Sequence, residues 1–137
     1  MIVFLDTDIL LDVALNRHPF AAASEQLLDA LEKKPGHAYV AWHSISNFYY
    51  LVKSRKNGFP TQSFIRDLLQ FVQIAPTNTK DVLYALRLPF SDFEDALQCA
   101  AAMASGADVI VSRNLKDYRK SPIPTQNPNT VLKMMLG

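Results

Sequence analysis

Apolar residues run without a break from Ile2 to Leu5, the pattern of a short strand covered on both faces. The next segment, 8–16, has Ile9, Leu10 and Val13 on one side and reads as a short helix broken by His18-Pro19. A second helix is predicted over 20–34, with Leu27, Leu28 and Leu31 inward and a stop at Pro35-Gly36. A strand at 38–41 follows. Ser44 is then expected to cap a helix to about 56, with Ile45, Phe48, Tyr49 and Val52 as its apolar stripe and Asn57-Gly58 ending it. Helices over 61–71, 79–88 and 92–105 alternate with strands at 72–75 and 108–112. In the last of these helices Phe93, Leu97, Ala100 and Ala104 recur at helical spacing, and Gly106 closes it. A loop at 113–118, a strand at 123–125 and a helix after Pro128 complete the pattern. Strands separated by helices imply an α/β three-layer sandwich, a central parallel sheet of four to five strands flanked by helices.

Composition narrows the function. The chain has 137 residues, which predicts one domain over 1–137, without repeats or linkers. A single cysteine, Cys99, excludes a disulfide framework and a cysteine-based zinc cluster. The formal charge of +1, from 14 basic and 13 acidic residues, argues against a uniformly basic nucleic-acid coat and leaves room for a local basic rim. No apolar stretch approaches a membrane span, and the first strand meets acids at Asp6 and Asp8 with no basic leader. The expectation is a soluble cytoplasmic protein.

Open parallel sheets place their sites beyond the carboxyl ends of the strands. Asp6 and Asp8 fall at the end of the first strand, Asp117 lies five residues past Ser112, and Asp92 and Asp95 open the helix before that late strand. Three distant segments thus aim carboxylates at one edge. Carboxylates gathered without counter-charge repel, and a shared hard divalent cation, Mg²⁺ or Mn²⁺, relieves this. Each acid also has a structural reading. Asp92 and Glu94 favour a helix dipole, Asp8 and Asp117 can cap turns, and Asp12 reads as solvated surface or structure. Asp6, directly after a buried strand, is the strongest candidate.

Four segments carry a resemblance: Ile-Val-Phe-Leu-Asp-Thr-Asp at 2–8, Ser-Ile-Ser-Asn-Phe-Tyr-Tyr at 44–50, Asp-Phe-Glu-Asp-Ala-Leu-Gln at 92–98 and Ser-Arg-Asn-Leu-Lys-Asp-Tyr at 112–118. In this order the chain resembles, over essentially its whole length, the PIN domains. These are small Mg²⁺- or Mn²⁺-dependent ribonucleases that include the VapC-like toxins of bacterial toxin–antitoxin pairs. The resemblance implies metal ligands at Asp6, Asp95 and Asp117. The family's second acid falls on Asn47, as in a branch with Ser-x-x-Asn-x-Tyr-Tyr, so that Asp92 or Glu94 would supply the missing carboxylate and Asn47 a neutral polar group.

The implied reaction is hydrolysis of phosphodiester bonds in single-stranded RNA. Ser112 and Asn114 would orient water or phosphate, and Arg113, Lys116 and Arg119 would neutralise the backbone. Lys53, Arg55 and Lys56 form a second basic cluster, which a helix C-terminus favours in any case. Tyr49 and Tyr50 read first as packing and second as base-stacking residues, and His43 as a surface or capping residue rather than a base. A small antitoxin is the implied partner. A homodimer is expected through spare apolar faces at Phe64, Leu68, Phe71 and Tyr84. The rival reading is a metal-poor PIN fold that binds RNA or protein. A dehalogenase-like phosphatase would share Asp6-Thr7-Asp8 but needs Thr or Val where Leu10 stands, and a receiver domain carries its acid after a middle strand.

Overall fold

The computed structural model describes residues 1–137. Five parallel strands form one sheet: β1 (Val3–Leu5), β2 (Ala38–Val40), β3 (Val72–Ile74), β4 (Val109–Val111) and β5 (Thr125–Gln126). Their spatial order is β3-β2-β1-β4-β5. Helices α1 (Thr7–Ala14), α2 (Ala21–Glu32), α3 (Trp42–Arg55), α4 (Thr61–Leu68), α5 (Thr79–Arg87), α6 (Phe93–Ala104) and α7 (Pro128–Leu136) make the connections and cover the sheet. β1 is central, with Val3 to Leu5 pairing Val109 to Val111 on one side and Val3 and Phe4 pairing Ala38 and Tyr39 on the other. Val3, Phe4 and Leu5 are all buried, so both faces of β1 are covered, which its uninterrupted apolar run required. Val3 and Leu5 belong to the larger core, with Ile9, Leu27, Leu31 and Phe48. Phe4 points the other way, into a cluster with Ile110 and Tyr118.

Element by element the pattern reads true, with shifts at the ends. α1 begins one residue early, after Asp6 in extended conformation, and Asn16, at φ 50°, turns the chain out of it. Asp8 is consequently inside the helix and caps nothing. β5 lies two residues later than expected. α3 starts at Trp42, so Ser44 is no cap; it is fully buried. In α6 the buried face is made of Ala96, Cys99, Ala100 and Ala102, while Phe93 stands 46% exposed. Alanines let α6 approach the sheet and α5 closely, which a phenylalanine facing inward would prevent.

The apolar residues expected to join two copies are used at home. Leu68 and Phe71 are buried in the larger core, and Phe64 stacks on Phe48 at 5.1 Å between ring centroids. Tyr84 is half-buried beneath Arg87. Among the large apolar side chains left in solvent are Val82, Leu83 and Leu86 on α5 and Phe93 on α6, with Trp42 and Leu136 elsewhere. No helix is long and apolar enough to cross a membrane.

Candidate metal centre

The carboxyl ends of β1 and β4 lie side by side, and the chain leaves each toward the same cavity. That cavity, about 570 Å³, takes side chains from the start of α1, the middle of α3, the start of α6 and the turn after β4. Its walls hold six carboxylates, Asp6, Asp8, Asp92, Glu94, Asp95 and Asp117, together with Asn47 and Asn114, and no lysine or arginine. Three acids expected from dispersed segments, Asp6, Asp95 and Asp117, share one cavity with Asn47.

Asp6 is the anchor. It is buried, and its Oδ2 accepts from Ser112 Oγ at 2.9 Å and Tyr118 Oη at 3.0 Å. Burial raises its pKa, and the two hydroxyls hold the rise in check. Asp8 sits next to it, half-buried. Its Oδ2 accepts from Asn114 Nδ2 at 3.0 Å and lies 3.2 Å from Ser112 Oγ, while its Oδ1 is buried with no partner. Burial first, then the charge of Asp6, pushes the Asp8 carboxyl up to about 7. Asp95 is also pushed up to about 7, by burial and then by Asp92, Asp6, Asp117 and Glu94 in turn. Burial and the charges of Asp6 and Asp92 raise Glu94 too.

Asn47 donates from Nδ2 to Glu94 Oε2 at 3.4 Å. A carboxylate from α6 therefore stands beside the α3 position that lacks one. Asp92 caps α6 by accepting from the Glu94 amide at 2.8 Å, so its structural role and its place in the cavity coexist.

Below the acids lies a polar layer that periodicity did not reveal. Gln98 Nε2 donates to Thr7 Oγ1 and Ser44 Oγ, both at 2.9 Å, and Thr7 donates to Ser44 at 2.8 Å. All three residues are buried, and they join α1, α3 and α6, the helices that bring Asp8, Asn47, Glu94 and Asp95 to the cavity. A buried glutamine one turn beyond Glu94 was the one available sign.

Several assignments made for the loop after β4 need correction. Ser112 is fully buried, with its Oγ turned to Asp6 and Asp8 rather than to the open cavity. Arg113 turns away from the cavity. Its Nε and Nη2 donate to the two oxygens of Asp12 at 2.7 and 3.2 Å, and its guanidinium lies 4.2 Å from the Phe20 ring centroid. Asp12, read as solvated or structural, is completely buried, with Arg17 as a second partner at 3.6 Å. Lys116 is exposed and lies outside the cavity walls, whereas Asn114 is part of them. His43 is half-buried, and burial lowers its pKa.

The residues fit a hard divalent cation. All donors are oxygens, the acids raise one another's pKa, and a buried Asp8 oxygen has no partner. No three of the acids converge tightly enough to enclose an ion as they stand.

Comparison with solved structures finds the same fold. The toxin–antitoxin complex VapBC2 of Rickettsia felis, bound to a DNA fragment from its promoter, contains a chain 23% identical, with a TM-score of 0.71 over 93% of this chain and 98% of that one. A toxin–antitoxin complex from Klebsiella pneumoniae gives 22% identity and a TM-score of 0.66, covering 92% and 97%. VapC20 of Mycobacterium tuberculosis, a toxin that cleaves the sarcin-ricin loop, gives 16% and 0.64, covering 79% and 86%. No curated protein matches the sequence. The PIN domain pattern matches residues 2–116. The chain belongs to the PIN-domain family.

Proposed function

We propose that the protein is a metal-dependent endoribonuclease of the VapC-like kind, acting on single-stranded RNA in the cytoplasm. One observation carries the reading: six carboxylates from three segments of chain line one cavity at the end of β1, without a counter-cation. Asp6, Asp95 and Asp117 would hold Mg²⁺ or Mn²⁺, with Glu94 as the further carboxylate beside Asn47. Such an ion supplies Lewis acidity for a water nucleophile and neutralises charge that develops on the phosphate. The chain does the rest. Ser112 and Tyr118 fix Asp6 Oδ2 through two hydroxyl bonds, which turns the other oxygen toward the cavity. Asn114 Nδ2 donates to Asp8 Oδ2 and holds that carboxyl in place. Asn47 holds Glu94 against the repulsion of Asp6 and Asp92.

The likeness to chains from toxin–antitoxin complexes supports a small antitoxin as partner. A homodimer would use Val82, Leu83, Leu86 and Phe93, exposed together on α5 and α6. A monomer by light scattering at high micromolar concentration would remove that part.

The deciding assay incubates mixed RNAs with the protein, with and without Mn²⁺, alongside Asp6→Asn and Asp95→Asn. We expect cleavage only with metal and only by the parent. Calorimetric titration should show Mn²⁺ binding by the parent at millimolar affinity or better, weakened by either variant. Full activity in either variant ends the nuclease reading. RNA binding without any metal affinity would favour the binding-module alternative.

A further inference from the structure

We propose that the cavity at the corner of α3 and α4 binds the phosphodiester backbone of single-stranded RNA flanking the scissile bond, a proposal that rests on the ribonuclease reading above. Lys53 and Lys56 at the end of α3 and Arg66 on α4 line this cavity of about 520 Å³, and no carboxylate does. A helix C-terminus accounts for a cation at its own last turn. It does not account for cations of two helices opening into one acid-free space. None of the three is ion-paired, since both ion pairs of the molecule are made by Asp12. Lys56 Nζ is partly engaged, donating to the Ala14 carbonyl at 3.1 Å. Lys53 and Arg66 are exposed. The chain carries a formal charge of only +1, so this positive field is local.

A third cavity along α3 bridges this one to the acidic site, sharing Tyr49 and Gln62 with the basic cavity and Ser46 and Tyr50 with the acidic one. Asn47 and Tyr50 line the acidic cavity and Tyr49 lines the basic one. The Tyr49 and Tyr50 rings meet edge-on at 5.1 Å, and Tyr50 is 66% exposed. Six residues separate Asn47 from Lys53, about 9 Å along a helix axis. Cations that track a backbone beside aromatic faces that take bases are the chemistry by which proteins hold single strands. α4 begins in the same cavity with no side-chain cap, so its first amides add to the positive field.

The test is fluorescence anisotropy with a labelled twelve-nucleotide RNA, without added metal, over a salt series. Relative to the parent, Lys53→Gln/Arg66→Gln should bind about tenfold more weakly. Its log–log salt slope should shrink by about 1.4, for two phosphate contacts on a single strand. The charge-conserving Lys53→Arg/Arg66→Lys should keep the parental slope, which separates lost charge from lost fold. An unchanged slope in the Gln variant, an equal loss in both variants, or no RNA affinity in the parent overturns the proposal. Binding of a labelled acidic peptide by a parent that has no RNA affinity would reassign the surface to a protein partner. Mn²⁺-dependent cleavage is measured separately on the same RNA. Cleavage with an unchanged slope sinks the subsite and keeps the nuclease; a changed slope with no cleavage keeps the RNA contact and sinks the nuclease, and with it the scissile bond that the contact would flank.

Discussion

Read along the chain, Arg113 belongs with Lys116 and Arg119, three cations in one loop with a phosphate to meet. In the fold its guanidinium closes on Asp12, 101 residues earlier, a buried carboxylate that would otherwise keep only the longer contact to Arg17. The pairing has no sequence signal, because neither residue type nor spacing announces a contact across that separation. It makes Arg113 a structural residue with a testable cost. Arg113→Ala strands a fully buried charge with only Arg17 at 3.6 Å beside it, and should lower stability by about 3–5 kcal/mol in urea denaturation. A loss under about 1 kcal/mol would return Arg113 to the substrate side. Asn47 and Glu94 teach the converse. The absent acid on α3 was legible as an absence, and Glu94 as one of two replacements. Only the fold, which sets Asn47 Nδ2 3.4 Å from Glu94 Oε2, favours Glu94 over Asp92.

At the scale of elements, periodicity located the seven α-helices and the four apolar strands, because most of them bury apolar residues that the sequence displays. It missed the joints between them. Ser44 looked like a helix cap and Gln98 like an unremarkable polar position, yet with Thr7 they tie α1, α3 and α6 together beneath the acids. Periodicity records which side of a helix is apolar, and a buried polar contact is written as an exception to it. Gln98→Ala removes two buried hydrogen bonds and leaves space among three helices. We expect a loss of about 2–3 kcal/mol by urea denaturation. Mn²⁺ affinity should weaken as well, because the carboxylates ride on those helices. Weakened stability with unaltered Mn²⁺ affinity would show that the layer supports the fold but does not set the site.

For the molecule as a whole, the acidic cavity is a liability that pH exposes. Asp6, Asp8, Glu94 and Asp95 hold their protons more tightly in the folded chain than in the unfolded one, Asp8 and Asp95 up to about 7 from an ordinary 3.8. Between those values the folded state binds more protons, so raising the pH through this window removes stability. His43, its pKa lowered from 6.5 by burial, pulls the other way, one group against four. In EDTA the melting temperature should therefore fall from pH 5 to pH 8, and saturating Mn²⁺ should flatten the decline. A melting temperature that rises across that range without metal would mean that the carboxylates are less buried, and less crowded, than the cavity places them. The sheet order has a consequence in time as well as in space. β1 is synthesised first but lies in the middle, and its neighbour β4, with Ser112 and Tyr118 that fix Asp6, comes more than a hundred residues later. A chain still on the ribosome cannot assemble the acidic cavity until β4 and the turn after it have emerged. Chains abandoned before that point end without the two hydroxyls that fix Asp6.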